Sequence, residues 1–105
     1  VEIISRARIE IDAMRLMVLQ AAKAMDVLGN KEARVYVSAV KAMVPEKVCT
    51  IIDQAMQMHG ATGISHWSPL PDMYHHQRHL RFADGPDEVH HMVVGRAEAQ
   101  KHVAW

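Results

Sequence analysis

Two apolar stripes, parted only by Gly29-Asn30, run through the first half of the chain. Ile4, Ala7, Ile11, Met14, Val18, Ala21, Met25 and Leu28 fall three or four positions apart; Ala33, Val37, Val40, Val44, Val48, Ile51, Ala55 and Met58 form a second set. That spacing places each set on one face of an α-helix. Ile3, Leu16, Met17, Leu19, Ala22 and Val27 widen the first stripe beyond a two-helix seam, so the first helix is expected to touch more than one neighbour. Gly29 suits a left-handed C-terminal cap, and so short a stop folds the second helix back on the first as an antiparallel hairpin. Pro45 has no N–H and crowds the carbonyl of Lys41, which predicts a kink or brief break there. Gly60 is the expected end of the second helix.

The remainder reads as loop, short helix, turn and last helix. Residues 60–72, GATGISHWSPLPD, have loop composition, with Trp67 expected to seat the loop on the bundle. A short helix is predicted over Met73 to His79. Asp84-Gly85-Pro86 then forms a turn, with Gly85 as N-cap and Pro86 at the first helical position, where a missing N–H costs nothing. Asp87 and Glu88 complement the positive helix start. Val89, Met92, Val93, Ala97 and Ala104 give the last helix an apolar face. No strand pattern or repeat is present in the sequence, so the fold class is all-α, an antiparallel helical bundle in a single domain spanning 1–105.

Composition narrows the function. The chain has 105 residues and a formal net charge of zero, so no basic surface points to nucleic acid. The one cysteine, Cys49, has no partner for an internal disulfide, which fits a reducing compartment. No apolar run reaches the length of a membrane span. The chain opens on Val1 with helix-like sequence under way, as expected for a piece of something longer.

Three sets of residues are candidates for chemistry. Asp84 reads either as an acid beside the helix start, satisfying free N–H groups, or as a spare carboxylate. Asp87 and Glu88 already supply the charge, which leaves Asp84 able to point away from its helix into a bordering cavity. His75, His76 and His79 have helical spacing for a zinc pair, but no cysteine, HExxH motif or third ligand accompanies them; solvated or capping histidines are the plainer reading. Gln57-Met58-His59-Gly60-Ala61-Thr62-Gly63 is either an ordinary cap and turn or a small-residue segment that lets a backbone or flat ligand come close. The methionines at helical spacing are core fillers first.

Residues 57–63 resemble the Q-x-x-G-G-x-G segment of acyl-CoA dehydrogenases, with Ala61 where a second Gly is usual. RFADGPDEVHHMVVGR, Arg81 to Arg96, resembles that family's Y-E-G-T-x-x-I-Q-R-x-x-I-A-R segment. The separation of the two motifs and the order of elements match as well. The likeness covers nearly all of the chain and is nearest to the family member 10 and 11 subgroup, where ADGPDEVH stands in place of the YEGT turn. It implies the C-terminal helical bundle domain without its first helix.

The resemblance also implies an activity, FAD-dependent desaturation of an acyl-CoA thioester between its α and β carbons. Asp84 stands at the catalytic-base position, and its backbone N–H is a second candidate, as donor to the thioester carbonyl. Gln57, Gly60, Gly85 and Glu88 stand at FAD-contacting positions, the first two often toward the FAD of a neighbouring subunit. Pro86 replaces a Thr, so that hydroxyl contact is absent, and Asp is one methylene shorter than the family's Glu. The same likeness implies a homodimer or homotetramer, an electron-transferring flavoprotein as partner, and the bacterial cytoplasm, mitochondrial matrix or peroxisome as compartment. Two alternatives stand beside it: a non-catalytic helical interaction module, and a histidine-based metal binder.

Overall fold

The structure, a computed structural model, describes residues 1–103; Ala104 and Trp105, the former assigned to the last helix's apolar face, lie outside the described residues. The elements are a long helix α1 (Glu2–His59), a 3-10 turn (Gly60–Ile64), helix α2 (Leu70–His79) and helix α3 (Asp87–Gln100). No strand occurs among the described residues.

Helix α1 is a hairpin in two arms, residues 2–28 and 30–59. Inside it, only Gly29 leaves helical geometry, with φ 82° and ψ 171°. Glycine reaches that positive φ without the Cβ clash that other residues meet. A straight helix of this length would span roughly 87 Å, whereas the longest dimension of the molecule is 54 Å. The arms run antiparallel: Ile3, Ala7 and Ile11 of the first line one groove with Ile51, Ala55 and Met58 of the second. The predicted hairpin is therefore present, tighter than a two-residue stop.

The break expected at Pro45 is not. Helical dihedrals run through it, and its ring is buried. One lost backbone hydrogen bond is tolerated because the rest of the helix is held by packing on both sides. Pro45 belongs to the most buried line of the second arm: Ser38, Ala42, Pro45, Cys49 and Ile52. That line is one position off the valine stripe that hydrophobicity alone picks out. Val37 and Met58 from the stripe are exposed, and Val40, Val44, Val48 and Ile51 are half-buried.

Helices α2 and α3 both pack on this second arm. Met73 and His76 of α2 lie beside Val48, Ile51 and Ile52. Val94 and Ala97 of α3 lie beside Glu32 and Val35, while its start lies near Ser38, so α3 runs antiparallel to the arm. Val89 and Met92 of α3, expected inward, are exposed; Val93, Val94 and Ala97 face the arm. Helix α2 starts at Leu70, earlier than the predicted Met73. Pro71 sits in its first turn, where no helical donor is needed, and Ser68 Oγ accepts from the Leu70 N–H at 3.1 Å.

The connection from α1 to α2 is partly ordered as 3-10 turn instead of plain loop. Gly63 seats it: a Cβ there would lie 2.3 Å from the backbone oxygen of Met56. Trp67 does not seat it, being 82% exposed and set against the His66 ring at 5.0 Å.

The core is small and built of small residues: Met14, Ala21, Ala24, Ala33, Ala42, Cys49 and Ile52. The first arm carries most of its other large apolar residues outward, with Leu16 68% and Val27 70% exposed and Ile9 and Leu19 similar. Of the predicted first stripe, Met14 and Ala21 are buried, while Ile4, Val18, Met25 and Leu28 face out. The thiol of Cys49 is free and buried, and desolvation raises its pKa above the ordinary value, against smaller opposing effects of Arg81 and Arg78.

Two predictions come from this packing. Gly63→Ala should lower stability by about 1–3 kcal/mol through overpacking against backbone. Gly95→Ala, at a helical position open to space, should be neutral or stabilising by up to about 1 kcal/mol. Thermal denaturation of both variants against the parent checks the contrast. A raised thiol pKa favours the neutral form in the folded state. The stability it contributes is therefore full below the unfolded value of about 8.5 and declines as pH rises through the folded one. Denaturation of parent and Cys49→Ala from pH 7 to 10 should show a steeper fall in the parent.

Candidate functional site

The turn between α2 and α3 is a loop closed at its neck. Asp87 N–H donates to the Arg81 carbonyl at 3.1 Å, and Arg81 Nε donates back to Asp87 Oδ2 at 2.6 Å. The two residues are six apart, and Asp84 is the midpoint between them. Asp87 is only 7% exposed. Burial makes its charge dependent on a partner, and the hydrogen bond to Asp87 raises the pKa of Arg81 further, so the guanidinium stays charged. The other carboxylate oxygen, Oδ1, is buried without a hydrogen-bond partner among the described residues.

The same loop is fastened to the second arm of α1. Lys41 Nζ donates to the Leu80 carbonyl and, at 3.4 Å, to that of Gly85. Ser38 Oγ lies 3.1 Å from His90 Nδ1, and His90 Nε2 lies 3.1 Å from the Asp84 carbonyl. Phe82 is exposed, with the Arg78 guanidinium 4.8 Å above its ring.

At the apex, Asp84 has φ 58° and Gly85 φ 101°. Aspartate is among the few non-glycine residues that enter the left-handed region with any frequency. Helix α3 begins one residue later than predicted. Pro86 is extended, with ψ 164°, and is the N-cap itself; Asp87 is the first helical residue. The main-chain bond from Asp87 to Arg81 shifts the start, because it uses the N–H that would otherwise look for a cap. Asp84 thus lies two residues before the N-cap. Its carboxylate makes no hydrogen bond or ion pair among the described residues, and no side chain caps α3. Its N–H and that of Gly85 donate to nothing among the described residues either. The residue is exposed.

Asp84, Gly85 and Glu88 are therefore together on one turn. Gln57 and Gly60 are not with them. They border a groove of about 350 Å³ at the far end of α1 with Asp53, Met56, Ala61 and Ile64. Lys41 and Gln57 are about 16 residues apart on one helix, or roughly 24 Å. Gly60 has φ 63° and open space where a Cβ would stand, and Gln57 is exposed.

The histidines divide. His79 Nδ1 lies 2.7 Å from the His76 carbonyl, and the His75 and His76 rings meet edge-on at 6.2 Å. Among the described residues no group of three His, Cys, Asp or Glu is placed to hold a metal ion, so the metal-binding alternative has no geometry here. His90 is an internal bridge between Ser38 and the Asp84 carbonyl. Sequence reasoning missed Ser38, Lys41 and the Arg81 pairing. The one available signal was a serine and a lysine inside the apolar run V-S-A-V-K-A-M-V.

Residues 2–99 match the family described as "Acyl-CoA dehydrogenase, C-terminal domain". The chain is 47% identical over 95 residues to acyl-CoA dehydrogenase family member 10 of Mus musculus, covering 90% of this chain and 9% of that protein. It is 46% identical over 98 residues to the probable acyl-CoA dehydrogenase FadE2 of Mycobacterium tuberculosis, covering 93% and 24%. A solved structure of a putative acyl-CoA dehydrogenase from Mycobacterium abscessus superposes with a TM-score of 0.94 at 44% identity, over 97% of this chain and 25% of the other. The chain thus spans a quarter or less of the length of these proteins. No helix among the described residues is long and apolar enough to cross a membrane.

The neck pairing predicts a coupling. In a double-mutant cycle of Arg81→Ala and Asp87→Ala, the interaction should amount to about 1–3 kcal/mol. Chemical denaturation of the four proteins measures it; a value near zero would mean that main-chain bonding alone holds the loop.

Proposed function

The chain belongs to the acyl-CoA dehydrogenase family, and from that premise we propose that it is the C-terminal helical bundle of a longer FAD-dependent enzyme, with Asp84 as the base for α,β-desaturation of an acyl-CoA thioester. The observation that carries this reading is the state of Asp84. The neck of its loop and the Leu80 and Gly85 carbonyls are held by hydrogen bonds, while the exposed carboxylate of Asp84 and its N–H have no hydrogen-bond partner among the described residues. A capping residue would have spent its carboxylate on the start of α3.

The residues present fit a bound FAD. Gln57 and Gly60 offer an unpaired amide and an uncovered backbone beside a groove with polar and apolar walls. Glu88, exposed in the first turn of α3, offers a second polar contact beside Gly85. The distance between these two sets supports their serving different FAD molecules, as in an oligomer whose sites are completed by neighbouring subunits. When bound, FAD supplies the ring that accepts the β hydrogen as hydride.

Asp84 takes the α proton onto its carboxylate. The negative charge that then grows on the thioester oxygen needs donors in place beforehand, and the free N–H of Asp84 is one. In this chain the carboxylate is open to water. Proton abstraction of this kind needs a site closed to water, which the other domains of the enzyme complete by covering the loop. The base therefore acts in the assembled enzyme and not in this bundle alone. In that enzyme, Asp84→Asn should abolish bleaching of the flavin by acyl-CoA while FAD content stays at the parental level; normal bleaching would remove Asp84 from the mechanism.

A second role is favoured by the uncovered face of the first arm, with Ile9, Leu16, Leu19 and Val27 all exposed. Large apolar side chains left uncovered on one side of a helix mark a packing surface, here for subunit assembly and for the remainder of the bundle. Leu16→Glu combined with Leu19→Glu should shift the enzyme to smaller species in sedimentation velocity at micromolar concentration. An unchanged profile would place the subunit contact elsewhere.

A further inference from the structure

We propose that His90, oriented by Ser38, is a positioning residue that sets the direction in which Asp84 presents its carboxylate. The proposal rests on the reading of Asp84 as the base. Asp84's carbonyl can only accept, so His90 Nε2 carries the proton of their 3.1 Å contact. In the neutral ring Nδ1 then accepts from Ser38 Oγ, 3.1 Å away. Ser38 is buried on the second arm of α1, which does not belong to the loop. The pair thus connects the apex of the loop to the fixed part of the molecule.

The connection is specific to Asp84. Lys41 holds the Leu80 and Gly85 carbonyls, and Arg81 with Asp87 closes the neck. Among the described residues, His90 is the side chain that hydrogen-bonds Asp84. Asp84 sits at φ 58° and is followed by Gly85, which accepts either sign of φ. Unless the Asp84 carbonyl is held, the backbone on either side of it is able to reorient, and reorientation about the Asp84 Cα redirects the Cα–Cβ bond from which the carboxylate projects. Gly85 has a second purpose in this arrangement. A Cβ on it would stand 3.1 Å from His90 Nε2, so the glycine leaves the ring room to reach back.

The test uses the intact, FAD-loaded enzyme with the saturated acyl-CoA thioester that it turns over fastest. Four quantities are read: exchange of the substrate α hydrogen with deuterated water, flavin bleaching, acyl-CoA affinity, and amide exchange across residues 84–86. Misplacing a base by about 1 Å costs on the order of a hundredfold, so His90→Leu should slow α-hydrogen exchange by about that factor. Affinity should stay within about threefold, and amide exchange at the apex should quicken. His90→Gln, which returns a donor near the Nε2 position, should recover most of the loss, and Ser38→Ala should slow exchange severalfold. Exchange in His90→Leu within about twofold of the parent overturns the proposal. So does an equal loss in His90→Gln, or a loss matched by weaker binding. Should His90→Leu fail to load FAD, Ser38→Ala decides, and an unchanged rate there overturns it. If Asp84→Asn itself retains α-hydrogen exchange, the base assignment fails; if that variant is dead and His90→Leu fully active, only the positioning role fails.

Discussion

The Arg81–Asp87 pair is the constraint on which the geometry of the α2–α3 turn depends. It joins the loop's two ends twice, once through main chain and once through side chain, and the second bond is charge-assisted and mostly shielded from water. Such a bond is stronger than a neutral one and poorly replaced by solvent. With the neck closed, Leu80 and Gly85 present their carbonyls to the same lysine, and the apex residue is left with few conformations. The loop is rigid because its ends and flanks are bonded, even though its tip is open.

A tip of this kind favours aspartate on conformational grounds. Two consecutive positive φ angles are needed to turn the chain there. Aspartate and asparagine enter that region several-fold more often than most residues, and longer or branched side chains gain nothing from it. In the proposed role, the loop thus exchanges one methylene of reach for a backbone that its residue accepts with little strain. The lost reach has to come from the position of the turn itself, which is why bonding from behind by Lys41, Ser38 and His90 matters more here than the side chain's own length.

The hairpin, the order of helices and the glycine stops were legible because each rests on local chemistry: helical periodicity, and the unique freedom of glycine at Gly29 and Gly60. The Asp84 turn was legible as a turn for the same reason. What escaped was everything set by tertiary contact. The buried line of the second arm includes Ser38, Pro45 and Cys49, which no hydrophobic pattern selects. Ser38 is buried because His90 answers its hydroxyl, and Lys41 is half-buried because two carbonyls do. These partners lie 39 to 52 positions away in sequence, so neither half of any pair announces the other. Pro45 misled for a related reason: its local cost is real, but packing around it outweighs one missing bond.

The second arm of α1 links the Asp84 turn to the groove beside Gln57 and Gly60. Its middle holds Ser38 and Lys41, which fasten the Asp84 turn, and its end holds Gln57 and Gly60 beside their groove. Pro45 lies between the two. A proline inside a helix is where bending costs least, since the hydrogen bond that would resist it is already absent. Here the ring is buried and the dihedrals remain helical, so the position is held by its neighbours. The roughly 24 Å along the helix between Lys41 and Gln57 is therefore spanned by continuous helix, whose buried residues Ala42, Pro45 and Cys49 hold it in place.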